Sequence, residues 1–383
     1  MKKFIAVLMI CLLSVSVFGC GGGSSKGGDD APVIKIGGIG PLTGDYATYG
    51  VSVKNGAQIA VDEINEAGGV NGFKLELLFE DDQADPEKAV NAYAKLMDDG
   101  MNVSLGCVTS GACVAVTEEV KKDGLLMLTP SGSQLECTQY DNCFRVCFQD
   151  PDQGKYSADF IKEKAIGAKI AILYDKSNPY SVGIYDSFVA EAAVVGLEIV
   201  TAQAFTDQSN TDFSVQLQAV KGSGADLLFL PIYAQEAAYI LTQAAAIDLD
   251  VIFFGVDGMD GILEKIGEDN IALTEGVMLL TPFAADSQDE KVVNFVTKYK
   301  AAYNMTPDQF AADGYDAIYI IKAAIEQAGI TEISDGFNEA LVAAMTQITV
   351  EGVTGSMQWT ADGEPAKNAT AVVIKDGVYV AFE

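Results

Sequence analysis

The chain has 383 residues, 49% of them hydrophobic and 20% charged, enough apolar material for two packed domains. Against 54 acidic residues it carries only 24 basic ones, a net charge of -30 that repels phosphate backbones and argues against nucleic acid as a partner. It has no histidine, which removes Ser-His-Asp and Cys-His nucleophile activation and the commonest transition-metal ligand.

The first element is a leader. Lys2 and Lys3 precede an apolar stretch, Phe4 to Phe18, that is too short to span a bilayer and reads as a signal peptide over residues 1–19. It closes on Val17-Phe18-Gly19-Cys20, and GGGSSKGGDD within residues 20–32 has the composition of a flexible tether. From Val33 strands and helices alternate. Residues 33–36 read as a strand, and Val53, Ala57, Ala60, Val61 and Ile64 share one helical face that ends at Gly68-Gly69. A strand over 74–80 follows, then a helix opened by Asp85-Pro86, a strand over 103–106, a helix over 112–122 and a strand over 125–129. The cycle repeats with strands over 169–174, 198–204, 226–231 and 251–255 and helices over 181–195, 212–222 and 235–247. Two long helices, 289–303 and 307–328, and two hairpin-type turns, Asp362-Gly363 and Asp376-Gly377, complete the chain.

Short apolar strands between amphipathic helices predict an α/β fold of two doubly wound parallel-sheet lobes, with the terminal segment antiparallel at an edge. Such lobes place ligands where the carboxyl ends of their strands face each other. Several candidate residues fall at those ends. In Leu128 to Gln134, LTPSGSQ, Ser131 and Ser133 are nucleophiles, ligand-holding hydroxyls or plain turn residues. Ser110 and Gly111 begin a helix, whose free N–H groups suit a carboxylate, although serine is equally a preferred cap. Asp257 follows the apolar strand VIFFG and faces the cleft from the other lobe, with Glu236 and Asp260 as competing acids. Tyr49 is delivered by the loop PLTGDYATYG, and Tyr180 and Tyr233 follow two further strands as amphipathic walls. The glycines of Ile36 to Gly40 do not make a dinucleotide loop, because Pro41 intervenes and no helix opens until about Tyr49. Beyond Cys20, Cys107, Cys113, Cys137, Cys143 and Cys147 are odd in number; Cys137 with Cys143 is the nearest local disulfide candidate, and no metal or cofactor site is expected.

The segments PLTGDYATYG, GAQIAVDEINEAGGVNG, DDQADPEKAV, LTPSGS, DPDQG and GVTGSMQWTADGEP resemble the branched-chain amino acid binding proteins of bacterial ABC importers, which have the type I periplasmic binding protein fold. Val17 to Cys20 likewise resembles a lipobox, with Cys20 as the lipidated residue. The resemblance implies a three-segment hinge near Asp150, Thr281 and Gly355. The lobes are then 33–150 plus 282–354 and 151–281 plus 355–383. It further implies that Ser110 and Ser133 hold a ligand carboxylate, and that the Ser131 carbonyl, the Ser133 hydroxyl and Asp257 hold its ammonium. Tyr49, Tyr180 and Tyr233 match positions that line the cleft. The sequence departs from the family at Ser181, where glycine is usual, and at Ala84 and Thr109, where some members carry a disulfide that braces the binding loop. The expectation is a lipid-anchored, extracytoplasmic, monomeric binding protein that hands an aliphatic α-amino acid to the transmembrane subunits of an ABC permease. Its rivals are a ligand-sensing domain, a binder of amides, urea or aromatic acids, and a serine hydrolase.

Overall fold

The computed structural model describes residues 31–367 and 369–382; the expected signal peptide, Cys20 and most of the tether lie outside them. Residues Pro32–Glu383 form one compact unit. Its first sheet has five parallel strands, β1 (Val33–Gly40), β2 (Lys74–Asp81), β3 (Val103–Cys107), β4 (Met127–Thr129) and β5 (Cys143–Arg145), in the order β2-β1-β3-β4-β5. The second sheet contains β6 (Lys169–Asp175), β7 (Glu198–Phe205), β8 (Leu227–Leu230), β9 (Ile252–Gly255), β10 (Met278–Thr281), β13 (Thr370–Lys375) and β14 (Val378–Ala381). Its order is β14-β13-β10-β9-β8-β6-β7, and the pairs β10-β13 and β13-β14 are antiparallel. The hairpin β13-β14 turns on Asp376 and Gly377, both with positive φ, at the edge where the sequence places it. Between β10 and β13 in chain order, β11 (Thr349–Gly352) pairs antiparallel with β12 (Gly355–Gln358) as a separate two-stranded sheet.

The periodic residues form the core as their spacing dictates. Val53, Ala57, Ala60, Val61 and Ile64 of helix Ala47–Glu66 are all buried. Strands β3, β4 and β8 are buried along their whole length, which fits parallel strands covered on both faces. Asp85 caps helix Pro86–Asp98 by accepting from the Lys88 N–H at 2.9 Å.

Three features differ from the sequence expectation. Strand β5, helix Asp150–Lys164 and helix Phe337–Met345 are additional, the first too short to show a period. The third crossing does not fall at Gly355. Residues 355–367 stay with the first sheet: Trp359 Nε1 donates to the Arg145 carbonyl at 2.7 Å, and Lys367 Nζ donates to the Val146 carbonyl at 2.8 Å. The chain joins the second sheet only at Thr370. Among the described residues the cysteines are free and buried, so Cys137 and Cys143 are not joined. Their thiols face different acceptors, the Ser110 carbonyl for Cys137 and Asn142 Oδ1 for Cys143.

Candidate functional site

The carboxyl ends of β3, β4 and β9 carry the loops that converge on one small cavity. It is lined by Tyr49, Val108, Thr109, Ser110, Ser131, Tyr180, Tyr233, Asp257, Gly258 and Phe310, and holds about 10 Å³, room for one water but not for an amino acid.

On the first-sheet side, Thr109 leaves β3 in an extended conformation and Ser110 opens helix Ser110–Asp123. Ser110 is buried, yet its hydroxyl does not cap its own helix. Its oxygen instead accepts from the N–H groups of Ser133 at 3.2 Å and Gln134 at 3.3 Å. A hydroxyl has two acceptor positions and one proton, so with both acceptors engaged Ser110 is left as a donor. Its proton faces Ser133 Oγ, 3.4 Å away, or a group in the cavity. The helix N-terminus adds free N–H groups and a positive dipole end beside it. Gly111 belongs to that N-terminus, although it does not line the cavity. The Ser131 hydroxyl donates to the Val108 carbonyl at 2.7 Å, which fixes the turn and uses its one proton, so Ser131 faces a ligand with acceptors alone. Gly132 permits the close approach: a Cβ there would stand 2.7 Å from Thr129 Oγ1 and 3.1 Å from Cys113 Sγ.

On the second-sheet side, Asp257 begins a single 3-10 turn after β9 and is 2% exposed. Burial pushes its carboxyl from the ordinary 3.8 up to about 6, partly offset by the Tyr180 hydroxyl, which donates to Oδ1 at 2.6 Å, and by the Gly258 N–H. Tyr180 stacks on Tyr233, with centroids 4.8 Å apart and planes 7° apart. Ser181 accepts from the Asp175 N–H at 2.9 Å and donates to the Pro231 carbonyl at 2.5 Å, so the serine ties this helix start to two strand ends and Tyr180 still reaches the site.

The two sides meet through Tyr49. Its hydroxyl donates to the Gly258 carbonyl at 2.6 Å and accepts from the Ala234 N–H at 2.8 Å, while its ring lies 4.6 Å from Phe310.

Tyr49, Ser110, Ser131, Tyr180, Tyr233 and Asp257 thus surround one cavity, and Ser133 joins it through Ser110. The rival acids do not. Glu236 accepts from Tyr46 and Asn210 beside a separate cavity, and Asp260 accepts from the backbone N–H groups of Gln309 and Gly261. Sequence reasoning missed Phe310, Val108, Gly258 and Gln153, whose Oε1 accepts from the Asp257 N–H at 3.3 Å. Gln153 lies in the DPDQG segment, the one signal that was available; the others are ordinary apolar or turn residues placed by tertiary folding. Asp150 of the same segment is buried, and neither carboxylate oxygen meets a hydrogen-bond partner among the described residues. Burial holds its carboxyl well above the usual range.

A family model described as "Periplasmic binding protein" matches residues 33–378. The chain is 32% identical to Leu/Ile/Val-binding protein homolog 3 of Brucella melitensis, over 80% of this chain and 83% of that protein. It is 31% identical to the leucine-, isoleucine-, valine-, threonine- and alanine-binding protein of Pseudomonas aeruginosa, over 87% of each. Among solved structures it is similar to the branched-chain amino acid transporter substrate binding protein LivJ of Streptococcus pneumoniae in complex with isoleucine. That match has 29% identity and a TM-score of 0.82, and covers 91% of this chain and all of that one.

Proposed function

The chain belongs to the periplasmic binding protein family, and from that premise we propose that it is an extracytoplasmic solute-binding protein that captures an aliphatic α-amino acid and delivers it to an ABC permease. The observation that carries this reading is the opposition of charge across the cavity. Ser110 and a helix N-terminus present donors on one wall, Asp257 presents a carboxylate on the other, and the remaining walls are largely aromatic and apolar. That arrangement suits a zwitterion with an apolar side chain. The ligand carboxylate takes the Ser110 hydroxyl, the Gly111 segment and Ser133; its ammonium takes Asp257, the Ser131 carbonyl and the Ser133 hydroxyl. Tyr49, Tyr180, Tyr233 and Phe310 enclose the side chain. Its relatives are named for binding leucine, isoleucine and valine, which supports a branched aliphatic ligand.

The first lobe comprises 33–150 with 282–367, the second 151–281 with 370–383, and the ligand draws them together because it contacts both. A protein lipidated at Cys20 and monomeric stays near its permease by the tether of residues 20–32. Calorimetry with L-leucine, L-isoleucine and L-valine, preceded by mass spectrometry of whatever copurifies, tests the ligand class. Saturable binding of at least one of these is expected, and absence of heat from all three, with protein stripped of endogenous ligand, would remove the reading. Membrane retention that survives Cys20→Ala would remove the anchor.

A further inference from the structure

No disulfide braces the binding loop, since the cysteines among the described residues are free. A buried cation stands beneath the loop instead. Arg145, on β5, is fully buried, and its guanidinium gathers the carbonyls that follow the cavity wall. Nη1 donates to the Gly132 carbonyl at 2.8 Å, and Nη2 donates to the carbonyls of Gln134 at 3.0 Å and Leu135 at 3.4 Å. The charge is balanced by Glu364, whose Oε2 lies 2.9 Å from Nε, and Thr138 Oγ1 bridges the pair.

These bonds have a consequence on the opposite face of the loop. In a trans peptide the C=O and N–H point in opposite directions. Holding the Gly132 carbonyl on Arg145 therefore turns the Ser133 N–H toward Ser110 Oγ. The next carbonyl, of Ser133, is held by the Asp150 N–H at 2.9 Å, and the Gln134 N–H also ends on Ser110 Oγ. Arg145 thus orients one of the two N–H groups and the Asp150 N–H orients the other; with both acceptor positions of Ser110 filled, its proton is left for Ser133 Oγ or a group in the cavity. We propose that Arg145 is a positioning residue that sets the donor polarity of the carboxylate seat, an inference that rests on the amino-acid reading above. Arginine suits the task because its planar fork reaches several acceptors at once, whereas a lysine ammonium on the same strand reaches one or two.

The test compares L-leucine with L-leucinol, which keeps the ammonium and side chain but lacks the carboxylate, by calorimetry on the full chain and on Arg145→Lys, Arg145→Met and Glu364→Gln. Wild type is expected to favour leucine. Arg145→Lys, which retains the buried charge and so the better prospect of folding, should lower the leucine:leucinol affinity ratio at least about tenfold, equivalent to about 1.4 kcal/mol, with leucinol affinity nearly unchanged. Arg145→Met should lower it further if it folds. Glu364→Gln leaves the carbonyl bonds in place, and should reduce the melting temperature without moving the ratio. An unchanged ratio in folded Arg145→Lys overturns the proposal, and so does an equal loss of affinity for both ligands, which marks a purely structural role. A wild type that binds leucinol as well as leucine overturns the amino-acid reading itself, and this inference with it.

Discussion

Asp257 is the residue on which the proposed ligand chemistry turns. Its carboxyl is desolvated, and in the proposed binding mode a ligand ammonium would supply the opposite charge that burial withholds. Asp257→Ala should therefore weaken leucine binding by roughly 3 to 5 kcal/mol, the usual result of removing one partner from a buried ion pair. Asp260→Ala should weaken it far less, since that carboxylate is spent on backbone N–H groups. Equal losses by calorimetry would mean that the acid is misassigned. A pH effect follows from the same shift. Burial raises the carboxyl from its ordinary 3.8 to about 6, so between those values the folded protein holds a proton that the unfolded chain has released. Stability from this group is thus present at low pH and is lost as pH rises through about 6. Binding runs the other way, because the ammonium needs the carboxylate: affinity should be flat above about pH 7 and fall roughly tenfold by about pH 5. Tyr180, which donates to Asp257, and Asp150, Tyr233, Cys147 and Asp313 are titratable groups that feel its charge, and Asp257→Asn should flatten the profile if Asp257 is the group responsible. Affinity independent of pH in wild type would exclude the carboxylate as the ammonium partner.

At the level of elements, much of the architecture was legible because its residues obey strong periods. Helix Ala47–Glu66 announces itself through Val53, Ala57, Ala60 and Ile64, and the β13-β14 hairpin through Asp376-Gly377. The site was legible where a residue lies just past a strand, as Ser110, Ser133 and Asp257 do. Strand β5 was not, since three residues carry no period, and with it went Arg145, whose role depends on contacts with a loop ten and more positions earlier. The position of the third crossing was missed for a similar reason: Trp359 and Lys367 are held by first-sheet carbonyls, and local sequence does not encode a distant acceptor. Helix packing offers a direct check. Helices Ala47–Glu66 and Gln309–Gln327 touch backbone to backbone, and a Cβ on Gly56 would stand 1.8 Å from the Ala311 carbonyl oxygen. Alanine raises helix propensity by about 1 kcal/mol, but forcing the helices apart costs about 1 to 3 kcal/mol or more. The clash should win. Gly56→Ala is expected to lower the unfolding free energy by about 2 kcal/mol, and a denaturation midpoint at or above wild type would contradict so close a crossing.

For the molecule as a whole, the geometry poses a problem of access. A cavity of about 10 Å³ admits no amino acid, so a ligand enters only when its walls part. The walls belong to two sheets, and the Tyr49 hydroxyl is a direct bond between them, donating to Gly258 and accepting from Ala234. Those bonds exist only while the lobes are together. Tyr49→Phe keeps the ring against Phe310 and Tyr233 but leaves the Ala234 N–H and the Gly258 carbonyl unpartnered in the closed state, a loss of about 1 to 3 kcal/mol. In the open state water satisfies both, so the loss falls on the closing equilibrium, and apparent affinity drops with the fraction of molecules able to close. Leucine binding should weaken about five- to a hundredfold, with a smaller change in denaturant midpoint. Small-angle scattering separates this from a lost ligand contact. Saturating leucine should shrink the radius of gyration of wild type and, at higher concentration, shrink Tyr49→Phe to the same value. If the bound and free wild type scatter alike, the lobes do not move on binding; if Tyr49→Phe closes at wild-type leucine concentrations, the hydroxyl is no part of the latch.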